Sequence, residues 1–333
     1  MQSTLTLVWN NNKARWGILF LGGIFLTALL GPLMVDDPYA YIAQPHLPPS
    51  YAYLLGTTGQ GQDVLAQTVV GARTTLVIGF TVGFLVTLIG TLIGVSAGFI
   101  GGRFDDVMSL LINVFLIIPG LPLAIILAAY LPSGPLALTG VLTFTGWAWT
   151  ARVLRAQTLS LRDRDFILAA RITGESTFKI IFNEIVPNLA SLLLSTFVGT
   201  TIYAIGAQVG LEFLGLGDVG LVTWGTNLYW ASNDQALLTQ AWWTFVPTGL
   251  GVAFVGFALA MINFGIDEIT NPRLGVERSW KDTLKKQGVV IGENTPILHA
   301  AERKYTKGNI ERNKERNKTE ENTTYSKKNQ EEI

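Results

Sequence analysis

The chain has 333 residues, of which 49% are apolar and only 14% charged, with two histidines, no cysteine and a formal net charge of zero. A soluble domain carries about a quarter charged residues, so there are too few here to cover a water-facing surface. The missing cysteines exclude disulfides, zinc–cysteine sites and thiol nucleophiles, and His46 and His299 alone argue against a multi-histidine metal site.

Charge is unevenly spread along the chain. Residues 16–35, 74–102, 107–151, 185–211 and 235–266 carry none. A bilayer core takes about 20 apolar residues per helix, at about 1.5 Å rise each. The first run fits one helix. The third is long enough for two, and Leu131-Pro132-Ser133-Gly134-Pro135 falls where a hairpin turn would divide them. The pattern predicts an all-α integral membrane protein of about six transmembrane helices, near 16–35, 74–100, 106–131, 135–156, 185–210 and 242–266.

Lys13 and Arg15 before the first run resemble the start of a signal peptide. The run continues to Val35, longer than a signal core, and Asp36-Asp37-Pro38 reads as a helix exit into water, so a retained first span is expected. Lysine and arginine mark the cytoplasmic side. Arg103 follows the second span, and Arg152, Arg155, Arg162, Arg164, Arg171 and Lys179 lie between the fourth and fifth. The alternate connections, 36–72, 131–135 and 212–240, contain neither residue, and Arg73 stands alone at the predicted edge of the second span. Both termini are therefore expected in the cytoplasm: 1–15 as a short lead, and 276–333 as a charged, disordered tail or a docking tail for a partner.

The connection between the fourth and fifth spans, about 157–184, is too long for a hairpin turn. Arg152-Val153-Leu154-Arg155-Ala156-Gln157 prolongs the fourth helix. Phe166, Ala169, Ala170 and Thr173 share one helical face at i, i+3, i+4, i+7 spacing. Gly174 is expected to end that helix, and 175–182 to form a second short amphipathic one. Two readings fit: a rigid connector whose small residues let another protein approach closely, or an interfacial helix lying on lipid headgroups.

The same segment resembles the EAA signature of bacterial and archaeal ABC-importer permeases, with Ala169, Ala170, Gly174 and Pro187 at the signature's Ala-Ala, Gly and Pro. Leu168 stands where that family usually has glutamate. The resemblance extends through nearly all of 16–275, to the second, C-type permease of the dipeptide/oligopeptide/nickel branch. It is carried by Leu55-Gly56-Thr57 with Gly61 and Asp63, by Gly71-Ala72-Arg73, and by Gly98-Phe99-Ile100-Gly101-Gly102-Arg103-Phe104-Asp105. Ile118-Pro119, Leu214-Gly215-Leu216-Gly217, Trp224-Gly225 and Asn271-Pro272-Arg273-Leu274 continue it.

This resemblance implies the transmembrane domain of a type I ABC importer, a multi-pass subunit of the inner, cytoplasmic membrane. Its partners would be a second permease, two ATP-binding-cassette ATPases and an extracytoplasmic solute-binding protein, with no nucleic acid. Phe166, Ala169, Ala170, Arg171, Gly174, Phe178 and Pro187 would form the ATPase-coupling loop. No Gly-x-x-x-x-Gly-Lys-[Ser/Thr] loop is present, so the resemblance assigns no cofactor to this chain and leaves ATP and magnesium to the partners. The implied solute is a peptide, with nickel or another small solute as the alternative within the branch. A membrane-embedded enzyme and a passive channel are the more distant rivals.

Asn113, Gln208 and Asn263 lie within or near apolar runs, either lining a pathway or bonding between helices. Asp36, Asp37, Asp63, Glu212, Asp218 and Asp234 face no cation in their own connections, which reads as an acidic vestibule or as the residue of charge sorting. Gly79, Gly83, Gly90, Gly94 and Gly98 form a small-residue stripe suited to close packing, with a hinge as the alternative. Tryptophans 147, 149, 224, 230, 242 and 243 are expected mostly as interfacial anchors.

Overall fold

A computed structural model describes Trp9 and residues 11–270. The tail at 276–333 and the motif at 271–274 lie outside the described residues. Helix α1, Asn12–Leu30, starts where the Asn11 side chain accepts from the N–H groups of Lys13 and Ala14, at 3.0 and 3.1 Å. Helix α2, Val64–Ile100, is capped in the same way by Asp63, which accepts from the Leu65 N–H at 2.9 Å.

Helix α2 begins ten residues before the predicted second span, so Gly71-Ala72-Arg73 is interior to it and does not open it. Val64, Ala66 and Gln67, on the added turns, are buried in protein. The expected start at 74 follows the charge of Arg73, which the helix carries as an exposed interior residue.

Gly101 and Gly102, at φ +72° and +58°, turn the chain into α3, Gly102–Ile117. A continuous span over 106–131 was predicted, and the structure breaks it. Helix α4, Gly120–Tyr130, leaves α3 at an angle of 83°. The cause is Pro119, which lacks an N–H and drives Ile118 to φ −76°, ψ 126°, outside the helical region.

The remaining helices are α5, Pro135–Leu161; α6, Asp165–Ile172; α7, Thr177–Ile180; α8, Val186–Asn188; α9, Ala190–Phe213; α10, Trp224–Asn233; and α11, Val246–Thr270. Among the described residues there is no β-strand, only an isolated bridge between Thr57 and Asp63.

Four stretches are long and apolar enough to cross a membrane, Asn12–Leu33, Val64–Ile100, Ala190–Phe213 and Trp242–Ile269, and the bent α3–α4 pair makes a fifth if counted as one span. Helix α5 has the length, 27 residues, but is more polar. Its Thr143, Thr150 and Thr158 are buried in protein and avoid lipid. The all-helical membrane architecture expected from the sequence is thus present, with six long segments when the bent pair counts once.

Helix α2 is the centre of the fold, packed against α5 toward its C-terminal end and against α9 nearer its middle. The glycine stripe makes this possible. A Cβ on Gly98 would lie 2.8 Å from the Arg155 carbonyl oxygen, and one on Gly94 would overlap the carbonyl of Ala151. Gly79 and Gly83 meet Ile205 and Thr201 of α9 in the same way. These positions are packing surfaces. Two tryptophans expected at interfaces are core residues instead: Trp147, 8% exposed, packs edge-on against Phe115, and Trp224, 2% exposed, donates its indole N–H to the Thr68 carbonyl. Trp149 and Trp242 are exposed.

Candidate functional site

Helix α6 is anchored chiefly by one buried side chain. Ile167 is fully buried among Val95 and Phe99 of α2, Leu154 of α5, and Ile180, Ile181, Ile185 and Leu189 of the segment that follows. Ala170 packs on the same cluster, and the Arg171 guanidinium carbon lies 4.9 Å from the Phe99 ring centroid. The inward face is therefore Ile167 and Ala170, and the exposed Arg171 reaches back to Phe99 from its edge. The face expected from spacing, Phe166, Ala169, Ala170 and Thr173, is divided: only Ala170 turns partly inward, while Phe166, Ala169 and Thr173 are exposed. The apolar cluster that receives Ile167 decides the rotation of the helix.

The chain leaves α6 through Gly174, at φ +80°, a left-handed turn that glycine adopts readily. Ser176 then caps α7, which starts at Thr177, and the expected continuous helix over 175–182 is replaced by a widened π-turn, Ile181–Ile185, running into α8. Pro187, with no N–H to donate, lies just beyond that turn and is exposed. Ile172 and Phe178, 86% and 70% exposed, project from the segment outside every membrane-crossing stretch.

A cavity of about 530 Å³ opens between α2, α3, α5 and α9. Its polar lining is Thr145 of α5 and Ser195, Thr196, Thr200 and Tyr203 of α9, with Trp149, Gly146 and Gly199 between them, and among the described residues no lining side chain is charged. Sequence reading missed these positions. The signal was available as small and hydroxylated residues at 195, 196, 199, 200 and 203, one face of an otherwise apolar helix.

Residues 90–275 match the family model described as binding-protein-dependent transport system inner membrane component. The chain belongs to that family. It is similar to the oligopeptide transport system permease protein OppC of Bacillus subtilis (strain 168), 32% identical over 269 residues, covering 80% of this chain and 87% of that protein. It is also similar to the dipeptide transport system permease protein DppC of the same organism, 31% identical over 271 residues, 79% of this chain and 83% of that one. Among solved structures, the MetNI methionine ABC transporter in inward facing conformations covers 57% of this chain and 94% of its own, at 19% identity and a TM-score of 0.43.

The transport component is thus a multi-pass membrane protein and a transport subunit. None of its three candidate pathway residues lines the cavity. Asn113 is exposed on α3, and Gln208 is fully buried and donates to Glu212. Asn263 accepts from Ser195 Oγ at 2.5 Å, behind the lining.

Five of the permease's six candidate vestibule carboxylates sit in separate settings, and the sixth, Asp36, is exposed. Asp63 caps α2, Asp37 accepts from the Tyr39 N–H, and Asp218 accepts from the Gly220 N–H. Glu212 is not on an open surface at all: it lies within α9 and is 2% exposed. Burial pushes the Asp234 carboxyl above its ordinary pKa, partly offset by His46, whose Nε2 lies 3.2 Å from the Asp234 carbonyl oxygen. The Leu55-Gly56-Thr57 motif shapes its loop. Gly56 and Gly61 take positive φ, and the buried Thr57 hydroxyl donates to the Gln44 carbonyl at 2.7 Å and accepts from the Leu47 N–H at 2.8 Å.

Proposed function

We propose that this chain is the permease subunit of an ATP-binding-cassette importer for peptides. It supplies half of the translocation pathway beside a second permease. Two ATPase subunits, which hold ATP and magnesium, bind at α6, and a solute-binding protein delivers the cargo from the other side. The permease domain is 16–275, with both termini in the cytoplasm. The names of the peptide-transporting relatives support the solute class. The uncharged cavity supports it as well, since hydroxyl groups and aromatic faces accommodate a peptide backbone whatever its side-chain charges.

One observation carries the mechanism: α6 is anchored inward by Ile167, with the exposed Arg171 reaching over the Phe99 ring, while Ala169 and Ile172 of α6 and Phe178 of α7 face out. Phe166, Ala169, Gly174, Phe178 and Pro187 then meet the ATPase, and Ala170 and Arg171 pass its displacement to α2. Ile180, Ile185 and Leu189 pass the same displacement to α9, so the cavity between α2, α5 and α9 changes shape.

Reconstitution with both ATPases and the partner permease tests this. Ala169→Trp obstructs the exposed face, and Gly174→Pro demands a φ near −65° at a position that holds +80°. Both are expected to abolish assembly or ATP-driven uptake. Normal uptake by the two variants would overturn the coupling role.

A further inference from the structure

Glu212 is a carboxyl buried at one end of a transmembrane helix with its hydrogen-bond partners on two elements. Its Oε1 accepts from Gln208 Nε2 at 3.1 Å, one turn back on α9. Its Oε2 accepts from Thr223 Oγ1 at 2.6 Å, and the Gly225 N–H also donates to the carboxyl. Thr223 is the N-cap of α10, in a reciprocal capping arrangement with Thr226. The fit is close on every side: a Cβ on Gly225 would lie 2.5 Å from Glu212 Cβ, and one on Gly217 2.7 Å from Glu212 Cγ.

The same helix α10 is bonded to α2. The Trp224 N–H donates to Thr75 Oγ1 at 3.0 Å and its indole to the Thr68 carbonyl at 2.9 Å, and Asn227 Nδ2 donates to the Gln67 carbonyl at 3.0 Å. Helix α10 therefore bridges α2 and α9 at the end remote from α6. These are the helices whose opposite ends enclose Ile167, through Val95 and Phe99 on α2 and Leu189 at the start of α9.

We propose that α10 is a clasp and that Glu212 is its pin. The pin holds the remote ends of α2 and α9 at fixed separation, so a displacement of α6 tilts the two helices together and does not splay them apart. Glu212 is a positioning residue for transport, acting through α10 on the shape of the cavity. The transport part of this inference rests on the importer reading above; the fixed separation does not.

The chain has no cysteine, so Arg73→Cys and Leu214→Cys can carry a spin-label pair on the full complex in nanodiscs. The expected result is one narrow distance distribution in the parent and a broadened, longer one with Glu212→Ala. Thr223→Val, nearly equal in volume, cuts the same bond together with the α10 N-cap and is expected to give at least the same broadening even if Glu212→Ala folds poorly. Glu212→Gln keeps an acceptor for Thr223 and is expected to restore the narrow distribution. Unchanged distributions in both cutting variants would overturn the clasp, whatever the protein transports.

Hydrolysis supplies the second readout. Glu212→Ala and Thr223→Val are expected to retain basal ATP hydrolysis while stimulation by peptide-loaded binding protein falls about tenfold, and the double variant to be no worse than the worse single. Full stimulation in either, or additive losses, would overturn the role in transport. A parent complex that no binding protein stimulates would count against the importer reading, leaving the distance measurement to decide the clasp.

Discussion

The guanidinium of Arg171 lies over the ring of Phe99, 4.9 Å from its centroid, next to the buried side chain of Ile167. Helix α6 thus grips α2 through a cation–π contact and one aliphatic anchor. Phe99→Leu keeps an apolar side chain and loses the contact, costing about 0.5–1 kcal/mol for the contact in addition to the smaller side chain's lost packing. Ile167→Ala empties the anchor site, at about 2–5 kcal/mol. We expect both variants to bind the ATPase, with uptake per ATP hydrolysed reduced slightly by the first and severely by the second. Parallel uptake and hydrolysis assays in proteoliposomes check this ranking.

Gly199 lines the cavity, and a Cβ placed there meets nothing within 4 Å. Gly199→Phe should therefore fold and assemble normally while filling the space beside Thr200 and Tyr203. The expected outcome is normal thermal stability and ATPase assembly with uptake lost, measured by differential scanning fluorimetry and peptide accumulation.

Gly98 has the opposite character. Its Cβ position is 2.8 Å from the Arg155 carbonyl oxygen and 2.9 Å from Thr158 Cβ. Gly98→Leu forces α2 and α5 apart, and overpacking of this kind costs about 1–3 kcal/mol or more. Loss of monodisperse protein on size-exclusion chromatography is expected, with no rescue by added ATPase.

Asp234 predicts a dependence on pH. Burial raises its folded-state pKa above the unfolded value. Folding therefore favours the protonated carboxyl, so its contribution is fully present below the unfolded value and is lost as pH rises through the folded one. Asp234→Asn should melt higher than the parent near neutral pH, the gap closing as pH falls toward the ordinary carboxyl range. Melting curves across that range measure it.

Much of this architecture was legible in the residues. Charge-free runs give the helices, and Gly174 marks the end of α6 because its φ of +80° suits glycine. What escaped the sequence depends on tertiary contact. The rotation of α6 follows Ile167, whose cluster draws on residues from 95 to 189. Glu212 reads as a surface carboxylate because its partners Thr223 and Gly225 come from the next helix. Asn113 and Gln208 attracted notice as polar residues in apolar helices, while the cavity is walled by serine and threonine, whose hydroxyls are inconspicuous in such helices.

Backbone contact at Gly90, Gly94 and Gly98 has a mechanical consequence. Two rods touching main chain to main chain cannot slide lengthwise without climbing over each other's carbonyls, so α2 and α5 travel as a single beam. Flexure must then be taken up where the chain has slack. The corner at Ile118 and Pro119 is such a place, because beside it Gly120 has only the Tyr203 hydroxyl near its Cβ position, 3.9 Å away.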